Sequence, residues 1–249
     1  MKTQEFVNYL NTYLNVGLFK DFAPNGLQVE GRDEIRKIIL GVTACQSLID
    51  YAVDQKSDAI LVHHGWFWKN EPAPVVGMKR RRLATLLAAE INLMAYHLPL
   101  DAHPEVGNNA ELARRLGLNL EKKTGFCDLL NIGSPLEPTT IEDFVARVTE
   151  VLGRSPLLVG RQSGIVKKIG WCTGAAQDEL LEAVEEGCDL FLSGEISERT
   201  TYEAVENDVT YLAAGHHATE RFGIQALGKH LKEVFPELQI EYFESNNIV

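Results

Sequence analysis

Cysteine is scarce in this chain of 249 residues, and none of its four cysteines forms a C-x-x-C pair. A zinc–thiolate site and a dithiol redox motif both need such closely spaced pairs, so the sequence predicts neither. We expect buried free thiols at Cys45, Cys127, Cys172 and Cys188. Free thiols suit a reducing compartment, which favours the cytoplasm.

Long apolar runs are also lacking. No stretch approaches the roughly 20 residues of a membrane span, and no apolar segment typical of a secretory signal follows the first residues. Basic residues are too few to balance the acidic ones, 24 against 35, which gives a formal net charge of −11. Such a charge disfavours binding to nucleic acid or to an anionic membrane.

The order of apolar segments occurs twice in the chain. Each copy predicts strand, helix, strand, helix, strand, because short apolar runs alternate with segments of helical periodicity. The first copy covers segments 37–43, 47–55, 58–62, 79–90 and 92–97, and the second covers 168–174, 177–186, 189–193, 197–206 and 210–216. We therefore predict an α/β fold of two pseudo-symmetric halves with mostly parallel mixed sheets. The predicted halves are residues 1–120 and 166–249, joined by a bridging segment 121–165 within one compact domain.

A histidine pair, His63-His64, closes the buried-strand segment 59–62. Polar imidazole nitrogens are poor core groups but common ligands of divalent metal ions. Because adjacent residues of a strand point to opposite faces, the two rings would reach two ions more easily than one. Taken alone, the pair is equally compatible with a structural role.

Two further segments place a carboxylate four residues after a histidine, namely His97 with Asp101 and His216 with Glu220. Pro99 interrupts the first segment, which we therefore predict to be a loop. Asp101 is the better candidate ligand there, while His97 is a ligand, a donor to a ligand or a proton shuttle. If a helix starts at His216, Glu220 shares its face and is able to bridge two cations.

Other conspicuous residues have simpler interpretations. We expect His217 to be structural, His103 and His230 to lie on the surface, and Glu195 to support a ligand from behind. The aromatic run 66–68 is predicted to be a hydrophobic flap or an oligomer contact rather than a stacking wall for a heterocycle. The basic run 79–82 is predicted to be a solvated helix start, with phosphate binding as the alternative.

In combination, these motifs resemble a known family across nearly the whole chain. They are APNGLQVEG at 23–31, VHHG at 62–65, HLPLD at 97–101, SGE at 193–195 and GHHATE at 215–220. The chain resembles the NGG-interacting-factor-like family, often labelled GTP cyclohydrolase type 2 homologues, and within it the short bacterial members of the YbgI type. The resemblance implies a dinuclear metal centre and a ring-shaped homohexamer. The family's ligands fall on His63, His64, Asp101, His216 and Glu220.

Sequence and resemblance together predict two divalent metal ions per chain, bound between the halves at the carboxyl ends of the strands. Zn, Mn or Fe fits such a ligand set. The predicted function is a metal-dependent hydrolase of a small nucleotide-like or heterocyclic substrate, with His97 as its catalytic side chain. The alternative is a non-catalytic metal-binding or interaction protein in metal handling or stress response.

Overall fold

The computed structural model describes residues 1–249. Its α-helices are α1 (Thr3–Tyr13), α2 (Gln46–Asp54), α3 (Gly77–Ala89), α4 (Leu98–Ala102), α5 (Asn108–Leu116), α6 (Ile141–Leu152), α7 (Leu180–Glu185), α8 (Glu198–Glu206) and α9 (His216–Val234). Its strands are β1 (Gly26–Val29), β2 (Lys37–Thr43), β3 (Ala59–His64), β4 (Asn92–Ala95), β5 (Leu118–Thr124), β6 (Leu130–Pro135), β7 (Thr139–Thr140), β8 (Leu157–Gly160), β9 (Ile165–Val166), β10 (Ile169–Trp171), β11 (Leu190–Ser193), β12 (Thr210–Ala213) and β13 (Gln239–Tyr242). No helix combines the length and the apolar character that crossing a membrane requires.

The chain folds into two compact units, and both take more than one stretch of sequence. Unit 1 consists of residues 1–107 and 224–246, and unit 2 of residues 108–223 and 247–249. These limits differ from the halves predicted from the sequence. Residues 121–165, predicted as a bridging segment, supply helix α6 and several strands of unit 2, and residues 224–246 belong with unit 1.

Unit 1 is built on a five-stranded sheet in the order β1-β4-β3-β2-β13. The four strands from β4 to β13 are mutually parallel, and β1 pairs antiparallel with β4 at one edge. Apolar residues of β2 and β3 are buried on both faces, as expected for parallel strands covered on two sides. One face packs against α1 and the second part of α9, and the other packs against α2 and α3.

Unit 2 contains a six-stranded sheet in the order β5-β6-β10-β11-β12-β8. The central strands β10, β11 and β12 form parallel pairs, whereas β5, β6 and β8 take part only in antiparallel pairs. The predicted α/β class with mixed sheets is therefore confirmed, but the expectation of mostly parallel pairing is wrong for unit 2, where three of the five strand pairs are antiparallel. The core of this unit joins α5, α6 and the start of α9 to the sheet.

Matching aspartates support the internal repeat. Asp58 precedes β3 and accepts hydrogen bonds from the backbone N–H groups of Arg36 and Lys37 at 2.8 and 2.9 Å. Asp189 precedes β11 and accepts from the N–H groups of Lys167 and Lys168, both at 2.9 Å. In both units one carboxylate thus joins the start of a strand to the start of its parallel neighbour.

Two expectations about individual side chains are wrong. His103 is buried, and both ring nitrogens have partners there. Its Nδ1 accepts the N–H groups of Glu105 and Val106, and its Nε2 contacts the carbonyl of Tyr13. Trp66 is also buried and donates its indole N–H to the carbonyl of Ala44, so the aromatic run begins inside the core. Trp66 is therefore not part of an exposed flap, whereas Phe67 and Trp68 are half-buried and their oligomer contact stays a prediction.

His230, also predicted to lie on the surface, is half-buried. Its ring stacks on Tyr13 with centroids 4.1 Å apart, and its Nε2 lies 2.6 Å from the hydroxyl of Tyr9. This imidazole is therefore part of an aromatic stack between α1 and α9. The basic run 79–82 agrees with expectation, since it lies in the first turns of α3 with Arg80 and Arg81 exposed.

Candidate metal centre

In each unit, the candidate ligands follow the carboxyl ends of neighbouring parallel strands. In unit 1, β2 ends at Thr43, β3 ends at His64, and His97 follows β4. In unit 2, Gly174, Glu195 and His216 follow β10, β11 and β12. Parallel neighbours end at the same edge of a sheet, which is where open α/β sheets bind their ligands. The sequence prediction that the histidines lie at strand ends is thus confirmed.

Three imidazoles of unit 1 lie side by side. The ring centroid of His63 is 4.4 Å from that of His64 and 5.2 Å from that of His97. One ligand nitrogen from each ring lies within 4.8 Å of the others, a spacing that would accommodate a cation. Trp68 borders this group, with its ring nearly perpendicular to that of His97 and the two ring centroids 4.9 Å apart.

Hydrogen bonds determine which nitrogen of these rings carries a proton. Nδ1 of His63 lies 3.0 Å from the carbonyl oxygen of Tyr96, and Nδ1 of His97 lies 2.7 Å from Oδ1 of Asp21. Since a carbonyl and a carboxylate only accept, both Nδ1 atoms donate, and Nε2 is the nitrogen with a lone pair in the neutral ring. His64 contacts the hydroxyl of Thr43 through its own Nδ1 at 3.1 Å.

The segment from His97 to Asp101 was predicted to be a loop, and this prediction is wrong. His97 is the N-cap of the short helix α4, and Pro99 lies in its first turn. Proline is tolerated there because the first N–H groups of a helix have no partner within the helix. The helical turn carries Asp101 back toward His63, so that Oδ1 of Asp101 lies 3.5 Å from Nε2 of His63.

In unit 2, His216 is the first residue of α9 and lies between two carboxylates. Its Nδ1 is 2.7 Å from Oε1 of Glu195, and its Nε2 is 3.0 Å from Oε2 of Glu220. Burial acts to lower the pKa of His216, but the hydrogen bonds to Glu220 and Glu195 outweigh it and raise this pKa to about 9. Glu195 therefore holds the imidazole through Nδ1, the ring nitrogen that does not face Glu220, as expected of a residue that supports a ligand.

Gly174 forms the floor beneath the Glu220 carboxylate. Its φ of +70° lies in the left-handed region, and a Cβ added there would lie 2.1 Å from Oε1 of Glu220. Thr219 fixes the position of this loop, because its hydroxyl accepts the N–H of Gly174 at 3.1 Å. The backbone thus confines one carboxylate closely beside His216.

The side chains around His63 and those around His216 both offer ligand atoms that fit a divalent cation. In neutral His63, the Nε2 lone pair faces a carboxylate oxygen of Asp101, and the same holds for His216 and Glu220. Two acceptors that face each other repel unless a cation, either a proton or a metal ion, lies between them. Imidazole nitrogen and carboxylate oxygen are ligands that zinc and iron both accept.

The sequence identifies some of the other side chains around these imidazoles but not all of them. Glu195 was singled out, and His217 is buried as expected of a structural residue. Asp21 and Thr43, which hold the Nδ1 atoms of His97 and His64, were missed. A cue for Asp21 exists in the pairing of β1 with β4, because antiparallel strands bring the residues before β1 close to those after β4.

Comparisons with known proteins identify relatives that match nearly the whole chain. Two curated relatives are each called GTP cyclohydrolase 1 type 2 homolog. That of Neisseria meningitidis serogroup A is 48% identical over 244 residues, which cover 98% of both chains. That of Yersinia pestis is 50% identical over 248 residues, which cover 99% of both. The solved structure of protein ybgI, described as of unknown function, shares 44% identity and superposes with a TM-score of 0.96 over 100% of both chains.

A family description also matches almost the whole chain, over residues 1–248. Together with relatives of this similarity and coverage, the match confirms the resemblance inferred from the motifs. The chain belongs to the Duf34/NIF3 (NGG1p interacting factor 3) family.

Proposed function

We propose that this protein is a metal-dependent hydrolase that binds two divalent ions through His63, His64, Asp101, His216 and Glu220. The observation that carries the proposal is the pair of imidazole–carboxylate contacts, since a neutral imidazole in either one sets two acceptors against each other, and a metal ion can take the place of the proton between them. We propose further a dinuclear centre, in which the two carboxylate oxygens of Glu220 would be shared between the ions. Three imidazoles, two carboxylates and no thiolate favour Zn, Mn or Fe over Cu(I).

When bound, such a pair of ions activates water as a nucleophile near neutral pH and neutralises charge that develops on the substrate. Within the chain, His97 is the group proposed to move protons during the reaction. Its Nδ1 is held by Asp21, so Nε2 accepts a proton from the attacking water and returns it to the leaving group. Glu195 keeps His216 oriented in the same manner.

The proposed substrate is a small nucleotide-like or heterocyclic molecule. Trp68 supports this class, because its half-buried ring lies 4.9 Å from His97 and 6.0 Å from His64 and offers a flat apolar surface beside the imidazoles. The names of the relatives, which refer to GTP cyclohydrolase type 2, agree with a purine-like ring. The cytoplasm stays the proposed location, in keeping with four free thiols.

The second candidate is a non-catalytic protein that binds metal for storage or for a stress response. The burial of His63, Asp101 and Glu220 favours it, because ligands with so little exposure hold an ion more readily than they admit a substrate. Turnover separates the two candidates.

The deciding experiment begins with metal analysis after reconstitution of chelator-treated protein. We expect two ions per chain, and a stoichiometry well below one would refute the metal centre. Protein loaded with Mn, Fe or Zn is then incubated with a metabolite mixture that includes nucleotides and heterocycles. Consumption of a component by loaded but not by metal-free protein supports the hydrolase. Tight metal binding without any consumption supports the second candidate.

The proposed partner is the protein itself, in a ring of six copies. Two surfaces that correspond in the internal repeat both expose apolar residues, and one surface is basic while the other is acidic. Segment 72–89, including α3, exposes Val76, Met78 and Leu87 and contains no acidic residue. Segment 178–206, including α7 and α8, exposes Tyr202 and Val205 and contains one basic residue.

Light scattering tests this assembly, and a mass near 27.7 kDa at micromolar concentration would refute it. Replacing Arg80 and Arg81 by Glu should dissociate the ring, whereas Arg36→Glu, an exposed charge elsewhere, should not. Unchanged mass in the first variant would exclude α3 as the contact.

A further inference from the structure

Asp21 lies in the loop before β1, and its carboxylate is almost completely enclosed, with a side-chain exposure of 3%. It accepts four hydrogen bonds. Oδ1 accepts from Nδ1 of His97 at 2.7 Å and from the N–H of Phe22 at 2.6 Å. Oδ2 accepts from the N–H of Leu98 at 3.0 Å and from the side-chain amide of Asn25 at 2.8 Å.

This carboxylate performs two tasks at the start of α4. His97 is the N-cap of that helix, but its side chain makes no capping hydrogen bond. Asp21 supplies the missing acceptor to the first N–H of the helix from a position 76 residues before His97 in the chain. Helix start and imidazole are therefore held by one side chain.

Capping alone does not account for an anion at this position. A buried carboxylate is costly, and His97 is the one ionisable side chain that pairs with Asp21. All four groups that face its oxygens are donors, so an amide in its place would set an NH₂ against another donor. Because both oxygens of the carboxylate are acceptors, one keeps the proton of His97 on Nδ1 while the other caps the N–H of Leu98.

We propose that Asp21 is a positioning residue that holds His97 as the Nδ1–H tautomer and thereby keeps the Nε2 lone pair for proton transfer. This inference rests on the proposed function of His97. In the reaction, an O–H bond of water breaks as its oxygen attacks the substrate, and the proton forms a bond to Nε2. That N–H bond then breaks as the leaving group takes the proton, while Asp21 stays ionised throughout.

The second unit contains the same arrangement. Nδ1 of His216, the residue that corresponds to His97 in the repeat, lies 2.7 Å from Oε1 of Glu195. The two carboxylates come from different places in the chain, one before β1 and the other after β11. Equal geometry from unrelated segments indicates that the orientation of the ring, rather than the local loop structure, is what both carboxylates serve.

The test is solid-state ¹⁵N NMR of metal-free protein labelled on the histidine rings, a measurement that needs neither metal nor turnover. The His97 signals are those missing from His97→Gln. In the wild type we expect the protonated nitrogen of His97 to be Nδ1, and an Nε2–H ring would overturn the proposal. Because only His97→Gln is needed, for assignment, this result stands even if an Asp21 variant does not fold.

Variants then test the role of the carboxylate. Asp21→Asn should shift proton occupancy from Nδ1 to Nε2 of His97, while Asp21→Glu should restore part of the wild-type signal. Glu195→Gln is the matched control, which should alter the His216 signals and leave those of His97 unchanged. An unaltered His97 spectrum in Asp21→Asn would overturn the proposal.

Kinetics on Mn-loaded protein with bis(p-nitrophenyl) phosphate as the probe give a separate reading. Asp21→Asn should lower kcat by roughly 10²–10⁴-fold with little change in KM. Combined with His97→Gln, it should cost little more than His97→Gln alone. Fully additive losses would contradict a role through His97. If the wild type does not hydrolyse this probe, the hydrolase proposal is weakened, and the NMR result still decides the role of Asp21.

Discussion

The backbone of Gly174 leaves no room for a side chain beside the Glu220 carboxylate. In Gly174→Ala, the new Cβ would lie 2.1 Å from Oε1 of Glu220 and 3.3 Å from Nε2 of His216. An ordinary contact between heavy atoms is roughly 3.5 Å, so the carboxylate would have to move by more than about 1 Å. Its side chain is almost fully enclosed, with 4% exposure, so a movement of this size disturbs its neighbours.

Two effects of this substitution have different magnitudes. The left-handed backbone conformation costs alanine about 1–2 kcal/mol of folding stability relative to glycine. Metal–ligand distances in proteins keep within about 0.2 Å of standard values, so a displaced Glu220 should bind poorly. Disturbing the support of a ligand typically weakens binding by roughly 10- to 100-fold, or about 1.4–2.7 kcal/mol.

A matched control separates these effects. Gly153 has a φ of +69°, nearly the same as Gly174, but nothing lies within 4 Å of a Cβ added there. Gly153→Ala should therefore show a similar loss of stability by chemical denaturation and bind Zn²⁺ like the wild type. Affinity is measured by competition with a chromogenic chelator, after circular dichroism has verified that both variants fold. Wild-type Zn²⁺ affinity in folded Gly174→Ala would refute the role assigned to Glu220.

Three further predictions concern other side chains. Glu220→Ala should lose both ions in elemental analysis, since a bridging carboxylate contacts both, whereas His63→Ala should keep partial occupancy; equal small losses would count against bridging. His97→Gln should leave metal content near normal and reduce any hydrolytic turnover by roughly 10²–10⁴-fold, and an emptied site would instead make His97 a ligand. Burial raises the pKa of Cys188 to about 12, so this thiol should resist alkylation at pH 8 in the native protein and react after denaturation, as mapped by mass spectrometry. Rapid native labelling of Cys188 would contradict its burial.

The parallel strands were the most predictable part of the fold. Segment 37–43 was predicted as a strand, and β2 spans those residues. Segments 58–62 and 189–193 agree with β3 and β11 to within two residues at either end. Strands covered on both faces appear in the sequence as short continuous apolar runs. The internal repeat shows the same pattern a second time, which makes the strands easier to recognise.

The antiparallel flanks were not predictable in the same way. β5 is largely exposed, and its polar residues show no apolar run. β13 is short, and its place beside β2 depends on a partner some 200 residues earlier in the chain. Pairing over such distances is set by tertiary packing, which local periodicity does not report.

Some residues of the candidate site could likewise be predicted from the sequence, and others could not. The histidines after apolar runs could be selected from the sequence, because three such segments occur together and polar imidazole nitrogens are poor core groups. Asp21 and Thr43 are ordinary residues in sequence, and they matter because the sheet brings them to His97 and His64. Pro99 misled the prediction for a related reason, since proline marks either a loop or the first turn of a helix.

The two separate stretches of sequence that make up unit 1 have a consequence for synthesis on the ribosome. Every core residue of unit 2 lies between Leu112 and Phe222, so that unit has its whole core before translation ends. The core of unit 1 needs Leu238 and Ile240, and its sheet needs β13. We therefore expect the nascent chain to fold residues 112–222 first, while the sheet that contains His63 and His64 is completed only after residues 238–242 have been made.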